Sequence, residues 1–258
     1  MKITKILKTL LPVLGIASIT NCFAQCVQTT GTATINSYTV WTGTIHQDKH
    51  ITINAGGALV INNLTLSFPE GCYITVNAGG RLQVTNSTLQ AFPDCTWGGI
   101  KVTGPAPNPN YTSQYYYDGS FSGDQVWQVN MPGQAVFTSI NLSSGWTTIQ
   151  NANTAVFVEN GGIVNVKHVH FKNNFRAIQL TKFIEQNANA LMAFGISSAH
   201  IIEECKFELT TLSNVEDGPG GIISNFLGVQ QVKIEEIQGI EIGGCEFYNN
   251  YPSPILSR

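Results

Sequence analysis

Acidic side chains crowd the last third of the chain: Glu203, Glu204, Glu208, Glu216, Asp217, Glu235, Glu236, Glu241 and Glu246. Carboxylates on neighbouring elements supply the oxygen ligands that Ca2+ takes. At separations of about 5 to 9.5 Å they can also serve as the paired groups of a glycosidase. Adjacent acids such as Glu203-Glu204 and Glu235-Glu236 more commonly form a solvated face. Ca2+ is therefore kept only as the ion these residues would suit, and no cofactor is assigned. His168 and His170 flank Val169, which places two imidazoles on one side of a strand, but a zinc site needs further ligands. No third His or Cys stands at a recognisable spacing, so both are expected to face solvent. No catalytic or metal-binding residue is assigned from these patterns.

Aromatic residues form a second group. Tyr115, Tyr116 and Tyr117 stand in a row, with Tyr111, Phe121 and Trp127 nearby. An exposed ring beside Asp and Asn gives the apolar contact and polar rim on which sugars stack. Tyr115, Tyr116, Tyr117 and Trp127 are thus the candidate ligand-binding residues, the competing reading being that the rings pack back onto the body of the protein.

The elements that must carry these groups are written in a repeat. Ile51-Thr52-Ile53-Asn54-Ala55-Gly56-Gly57-Ala58-Leu59 returns as Ile74-Thr75-Val76-Asn77-Ala78-Gly79-Gly80-Arg81-Leu82, an offset of 23 residues. Fainter copies follow at Glu159-Asn160-Gly161-Gly162, and Ile149 to Val156 returns as Phe171 to Ile178. Alternation of apolar residues points Leu59, Ile61, Leu64 and Leu66 to one side, with a corner at Asn62-Asn63. One such coil cannot bury its own apolar face, whereas stacked coils form a continuous core. The repeat therefore predicts an all-β chain, a right-handed parallel β-helix with coils of about 22–25 residues. Asn54 is expected over Asn77, and Asn63 over Asn86, as polar ladders. An antiparallel sandwich would not produce near-identical segments one full coil apart. A short helix is expected at most over residues 184–192. Two stretches break the period, about 105–132 and 210–225, and are expected as inserted loops.

Cys72 and Cys95 are also 23 residues apart, so stacking would bring them within disulfide range, and that pair is expected. Cys205 and Cys245 precede Phe207 and Phe247 by two residues, as Leu64 precedes Leu66. They are therefore expected as inward thiols of the core. Cys26 is left over and could instead compete for Cys72. His200 matches the inward Leu59 position and is expected as a hydrogen-bonded core histidine.

The first 24 residues read as a secretory leader: Lys2, Lys5 and Lys8, an apolar run over 10–19, then Cys22-Phe23-Ala24 as a cleavage signal. Residues 25–50 follow as an N-terminal cap with the first strands, and 51–258 as the solenoid. Losing those three lysines turns a formal net charge of −3 into −6. That balance argues against nucleic acid, whose phosphates need a basic face, and against an anionic membrane surface. A secreted or outer-cell-surface location is expected, with no membrane insertion after cleavage.

Trp97-Gly98-Gly99-Ile100-Lys101-Val102, the segment Ile149 to Ala155, Gly161-Gly162 and Phe171 to Ile178 together resemble the secreted right-handed β-helix repeat proteins of Bacteroidota type. The resemblance spans roughly residues 50–256. Members are often type IX secretion substrates with a C-terminal sorting domain, which implies that this chain is a fragment, incomplete at its C-terminus. β-helix pectinases and lyases use clustered Asp or Ca2+ ligands beside a basic residue. Here Asp48, Asp94, Asp118, Asp124 and Asp217 are scattered, and the basic residues do not fall in register with acids. The expected function is a non-catalytic scaffold that binds glycans or cell-surface material. The alternative is a polysaccharide lyase or glycoside hydrolase with part of its catalytic coils beyond Arg258.

Overall fold

The computed structural model describes residues 31–93, 95–104, 133–139, 145–183, 200–210, 231–237 and 240–248, with the backbone alone for 182, 183 and 255–257. The expected leader, the inserted segment 105–132, all of 210–225 but Thr210, and the helical candidate 184–192 lie outside the described residues.

Short runs of β-branched and aromatic residues between Gly and Asn turns favour strands, and no helix occurs among the described residues. The first strands are β1 (Thr32–Ile35), β2 (Tyr38–His46), β3 (His50–Ile53), β4 (Ala58–Phe68), β5 (Tyr73–Val76), β6 (Arg81–Thr85) and β7 (Thr88–Ala91). Next come β8 (Trp97–Thr103), β9 (Gln134–Thr138), β10 (Thr147–Gln150), β11 (Ala152–Glu159), β12 (Ile163–Lys167), β13 (Val169–Lys172) and β14 (Arg176–Phe183). The last are β15 (His200–Glu203), β16 (Lys206–Glu208), β17 (Val232–Ile237), β18 (Ile240–Gly243), β19 (Glu246–Tyr248) and β20 (Ile255–Ser257).

They form two curled sheets of parallel strands. One has eight strands in the order β1-β3-β5-β8-β11-β14-β17-β20. The other has twelve, in the order β18-β15-β12-β9-β6-β4-β7-β10-β13-β16-β19, with β2 against β4. This larger sheet forks. β4 runs through Asn63, whose φ is +51°, and its two halves pair separately with β6 and β7. Between β6 and β7, β12 and β13, β15 and β16, and β18 and β19 the two arms are distinct strands joined at a left-handed residue, Asn86, His168, Glu204 and Gly244 in turn.

In-register stacking turns each inward position into a column. On the eight-stranded sheet Ile51, Ile74, Ile100, Val156, Ile178 and Val232 align from strand to strand, all of them buried. On the forked sheet Leu66, Leu89, Ile149, Phe171, Phe207 and Phe247 form another column. The Phe171 and Phe207 rings stack with centroids 5.1 Å apart, and Phe207 and Phe247 at 4.6 Å. Burying each such side chain contributes about 1.5–3 kcal/mol, and the column extends that gain along the stack. The expected asparagine ladder is present: Asn77 Nδ2 donates to Asn54 Oδ1, and Asn54 Nδ2 to Asn36 Oδ1, both at 3.0 Å.

The step between repeats is not uniform, and this overturns the expected Cys72–Cys95 bond. Phe68 pairs with Ala91 at the 23-residue step, but Tyr73 pairs with Gly99 and Ile74 with Ile100, a step of 26. The turn before β8 is thus longer than the one before β5, and the amide opposite Cys72 is that of Gly98, donating to the Cys72 carbonyl at 2.6 Å. Cys95 falls short of that register. Cys72 keeps its thiol, which donates to the Lys49 carbonyl at 2.9 Å, while Cys95 is disulfide-bonded. Cys26 lies outside the described residues.

Gly99 explains the Trp-Gly-Gly-Ile motif. Its φ is +98°, and a Cβ there would come within 1.7 Å of the Thr154 carbonyl oxygen. At this point the β8–β11 pairing skips Ala155, with Thr154 opposite Gly99 and Val156 opposite Ile100. A residue without a side chain is needed where the bulge presses the two backbones together. Trp97 is fully buried, stacks on Phe68 at 4.5 Å, and donates from Nε1 to the Gln150 carbonyl at 2.9 Å.

Candidate functional site

The outward face of the arm β10-β13-β16-β19 carries the groups with chemical potential. Alternation along each strand sends Phe171, Phe207 and Phe247 inward and leaves the residues on either side of them pointing out. His170 thus pairs with Lys206, and Lys206 with Glu246. Two residues further along, Lys172 pairs with Glu208, and Glu208 with Tyr248. Glu208 and Glu246 stand on diagonal positions of adjacent strands. The corner before β10 adds Trp146.

Trp146, His170, Lys206, Glu208 and Tyr248 line an open cleft of about 370 Å³. Lys206 Nζ lies 4.6 Å from the centre of the Trp146 ring, a cation–π contact, and 3.8 Å from Glu246 Oε2. The Tyr248 hydroxyl donates to Glu246, and that carboxylate raises the phenol's pKa. His170 Nε2 lies 2.8 Å from Glu208 Oε2, though out of line for a well-directed hydrogen bond. Burial lowers the His170 pKa, against the opposing pull of Glu208. The imidazole is therefore neutral at neutral pH. Glu208 Oε1 is 4.0 Å from Lys172. At the rim His168 pairs with Glu204, its ring edge-on to Trp146 at 6.2 Å.

This arrangement corrects the expectation that basic residues fall out of register with acids. Lys167 pairs with Glu203 in the ladder and contacts it at 3.0 Å, and Lys172 and Lys206 face Glu208 and Glu246. His168 and His170 point outward as expected, yet each is only about one-fifth exposed and sits against a glutamate. Among the described residues no three His, Cys, Asp or Glu are gathered as for a metal ion. Tyr115, Tyr116, Tyr117 and Trp127 lie outside the described residues, as do Glu216 and Asp217. The sequence did not mark Trp146, Lys206 or Tyr248 as candidates. The signal was available in the alignment of Phe171, Phe207 and Phe247, whose neighbours are His170, Lys206 and Glu246.

His200 is inward and fully buried, accepting the Val164 amide at Nδ1 over 3.4 Å. Burial pulls its pKa down to about 3, as befits a core group and not a member of the cleft. No protein family, no curated protein and no solved structure matches this chain.

Proposed function

We propose that the chain is a secreted or cell-surface scaffold, its two sheets forming walls of a right-handed parallel β-helix, that binds neutral glycan in the cleft beside Trp146. The observation that carries this reading is the joining of two aromatic rings to paired charges in one open cleft. Tyr248, almost half exposed, offers apolar area to the C–H face of a sugar, and Trp146 a second ring. Glu208, Lys206 and His170 offer acceptors and donors to hydroxyl groups. Because Lys206 faces Glu246 and Lys172 faces Glu208, the cleft holds no excess of one charge, which favours neutral sugar over uronate.

A polysaccharide panel run on the full chain tests this by affinity electrophoresis, with newly formed sugar ends assayed in parallel. Retention of a neutral polysaccharide, lost at least tenfold in Trp146→Ala and Tyr248→Ala, is the expected result. Retention unchanged in both variants refutes the cleft. The same panel with Tyr115, Tyr116 and Tyr117 replaced by Ala shows whether that segment, with Trp127, contributes.

A second reading, cleavage of the polysaccharide, is favoured by His170 beside Glu208 with Glu246 on the diagonal position. New sugar ends that vanish in Glu208→Gln would establish it. Retention without new ends supports the scaffold.

A further inference from the structure

Cys205 and Cys245 hold the same place in successive repeats. Each follows a left-handed residue, Glu204 with φ +50° and Gly244 with φ +63°, and the Glu246 amide donates to the Cys205 carbonyl at 2.8 Å. Their sulfurs are seated alike. Cys205 Sγ donates to the carbonyls of Glu203 at 3.1 Å and Val166 at 3.8 Å. Cys245 Sγ donates to those of Gly243 at 3.4 Å and Ile202 at 3.6 Å. Glu203 pairs with Gly243, and Val166 with Ile202, so one thiol is the other moved by a single strand spacing. That spacing is about 4.8 Å, inside the Cα range of roughly 4.4–6.8 Å that disulfides occupy.

They differ in access. Cys205 is fully buried, while Cys245 is partly exposed. They differ in acidity as well. The Cys205 thiol beside it brings Cys245 down to about 7, whereas burial pushes Cys205 up. An accessible acidic thiol beside a buried one is the arrangement of an attacking and a resolving cysteine.

We propose that Cys205 and Cys245 form a dithiol site that closes to a disulfide by exchange with an external disulfide. The Cys245 thiolate attacks one sulfur of the oxidant, the S–S bond breaks, and one thiolate leaves. Cys205 then loses its proton and attacks Cys245 Sγ, expelling the second thiolate. The two cysteines are oxidised, the external disulfide is reduced to two thiols, and two protons are transferred in balance. The new bond ties the repeat of β15 and β16 to that of β18 and β19. It is independent of glycan binding.

The test is to incubate the full chain with oxidised glutathione, quench with an alkylating agent and map peptides by mass spectrometry. A Cys205–Cys245 cross-link with loss of two alkylatable thiols is expected. In Cys205→Ser a glutathione adduct should persist on Cys245, while in Cys245→Ser the Cys205 thiol should remain unmodified. The proposal fails if both thiols of the unaltered chain stay alkylatable. It fails equally if either pairs with a different cysteine.

Discussion

The side chain of Asn54 joins two neighbours at once, donating to Asn36 and accepting from Asn77, each over 3.0 Å. It is the middle rung of a ladder, so removing it breaks two hydrogen bonds and leaves the Asn77 amide group without its acceptor. Asn54→Ala should lower stability by about 1–3 kcal/mol, and Asn77→Ala by less, since Asn54 keeps its bond to Asn36. Urea unfolding midpoints of the two variants check the order.

Phe207 is sandwiched between Phe171 and Phe247. Phe207→Ala should cost about 3–5 kcal/mol, the usual penalty for emptying a buried aromatic site. Tyr248→Ala, one residue away from Phe247 on the outward face, should stay within about 1 kcal/mol. Equal losses in the two variants would contradict the assignment of inside and outside on this arm.

At Gly99 both the positive φ and the approach of the Thr154 carbonyl exclude a side chain. Gly99→Ala is expected to destabilise by at least ~2 kcal/mol. Gly56→Ala, at φ +77° but with no atom within 4 Å of the added Cβ, should cost less. Thermal midpoints measured side by side separate the clash from the backbone strain.

His200 gives stability a pH dependence. Its pKa falls from the ordinary 6.5 to about 3 in the fold, so the unfolded chain takes up a proton that the folded chain refuses. The stabilisation is whole above pH 6.5 and is lost as pH falls from there towards 3, by at most about 1.4 kcal/mol per pH unit. His200→Ile, matching the next rung of the column, Ile240, should flatten that slope. The comparison is the difference in unfolding free energy between the two chains at pH 7.5 and pH 5. A difference that does not change with pH would refute the burial of a neutral imidazole.

The parallel stacking was legible because Ile51 to Leu59 and Ile74 to Leu82 are nearly the same words, and identical residues in register make ladders such as Asn54 on Asn77. His200 and the inward placing of Cys205 and Cys245 followed from the same alignment. Two things defeated it. Cys72 and Cys95 match the 23-residue step, yet the longer turn before β8 sets the local step at 26, and a turn of altered length leaves no mark in apolar periodicity. In the cleft, His170 and Lys206 are 36 residues apart and Lys206 and Glu246 are 40 apart, because inserted segments separate strands that pair directly. Charged residues also lack the strict alternation that an apolar core imposes, so their register emerges only once the phenylalanines beneath them are aligned.

The fork of the larger sheet has a mechanical side. Along β4 the two arms share a continuous strand, yet its backbone already turns at Asn63. Farther along the stack a left-handed residue again joins the arms between β6 and β7, β12 and β13, β15 and β16, and β18 and β19, at Asn86, His168, Glu204 and Gly244 in turn. A force that opened or closed the angle between the arms would therefore load the same backbone corner in each of these repeats, and the cleft beside Trp146 lies on one of the arms it would move.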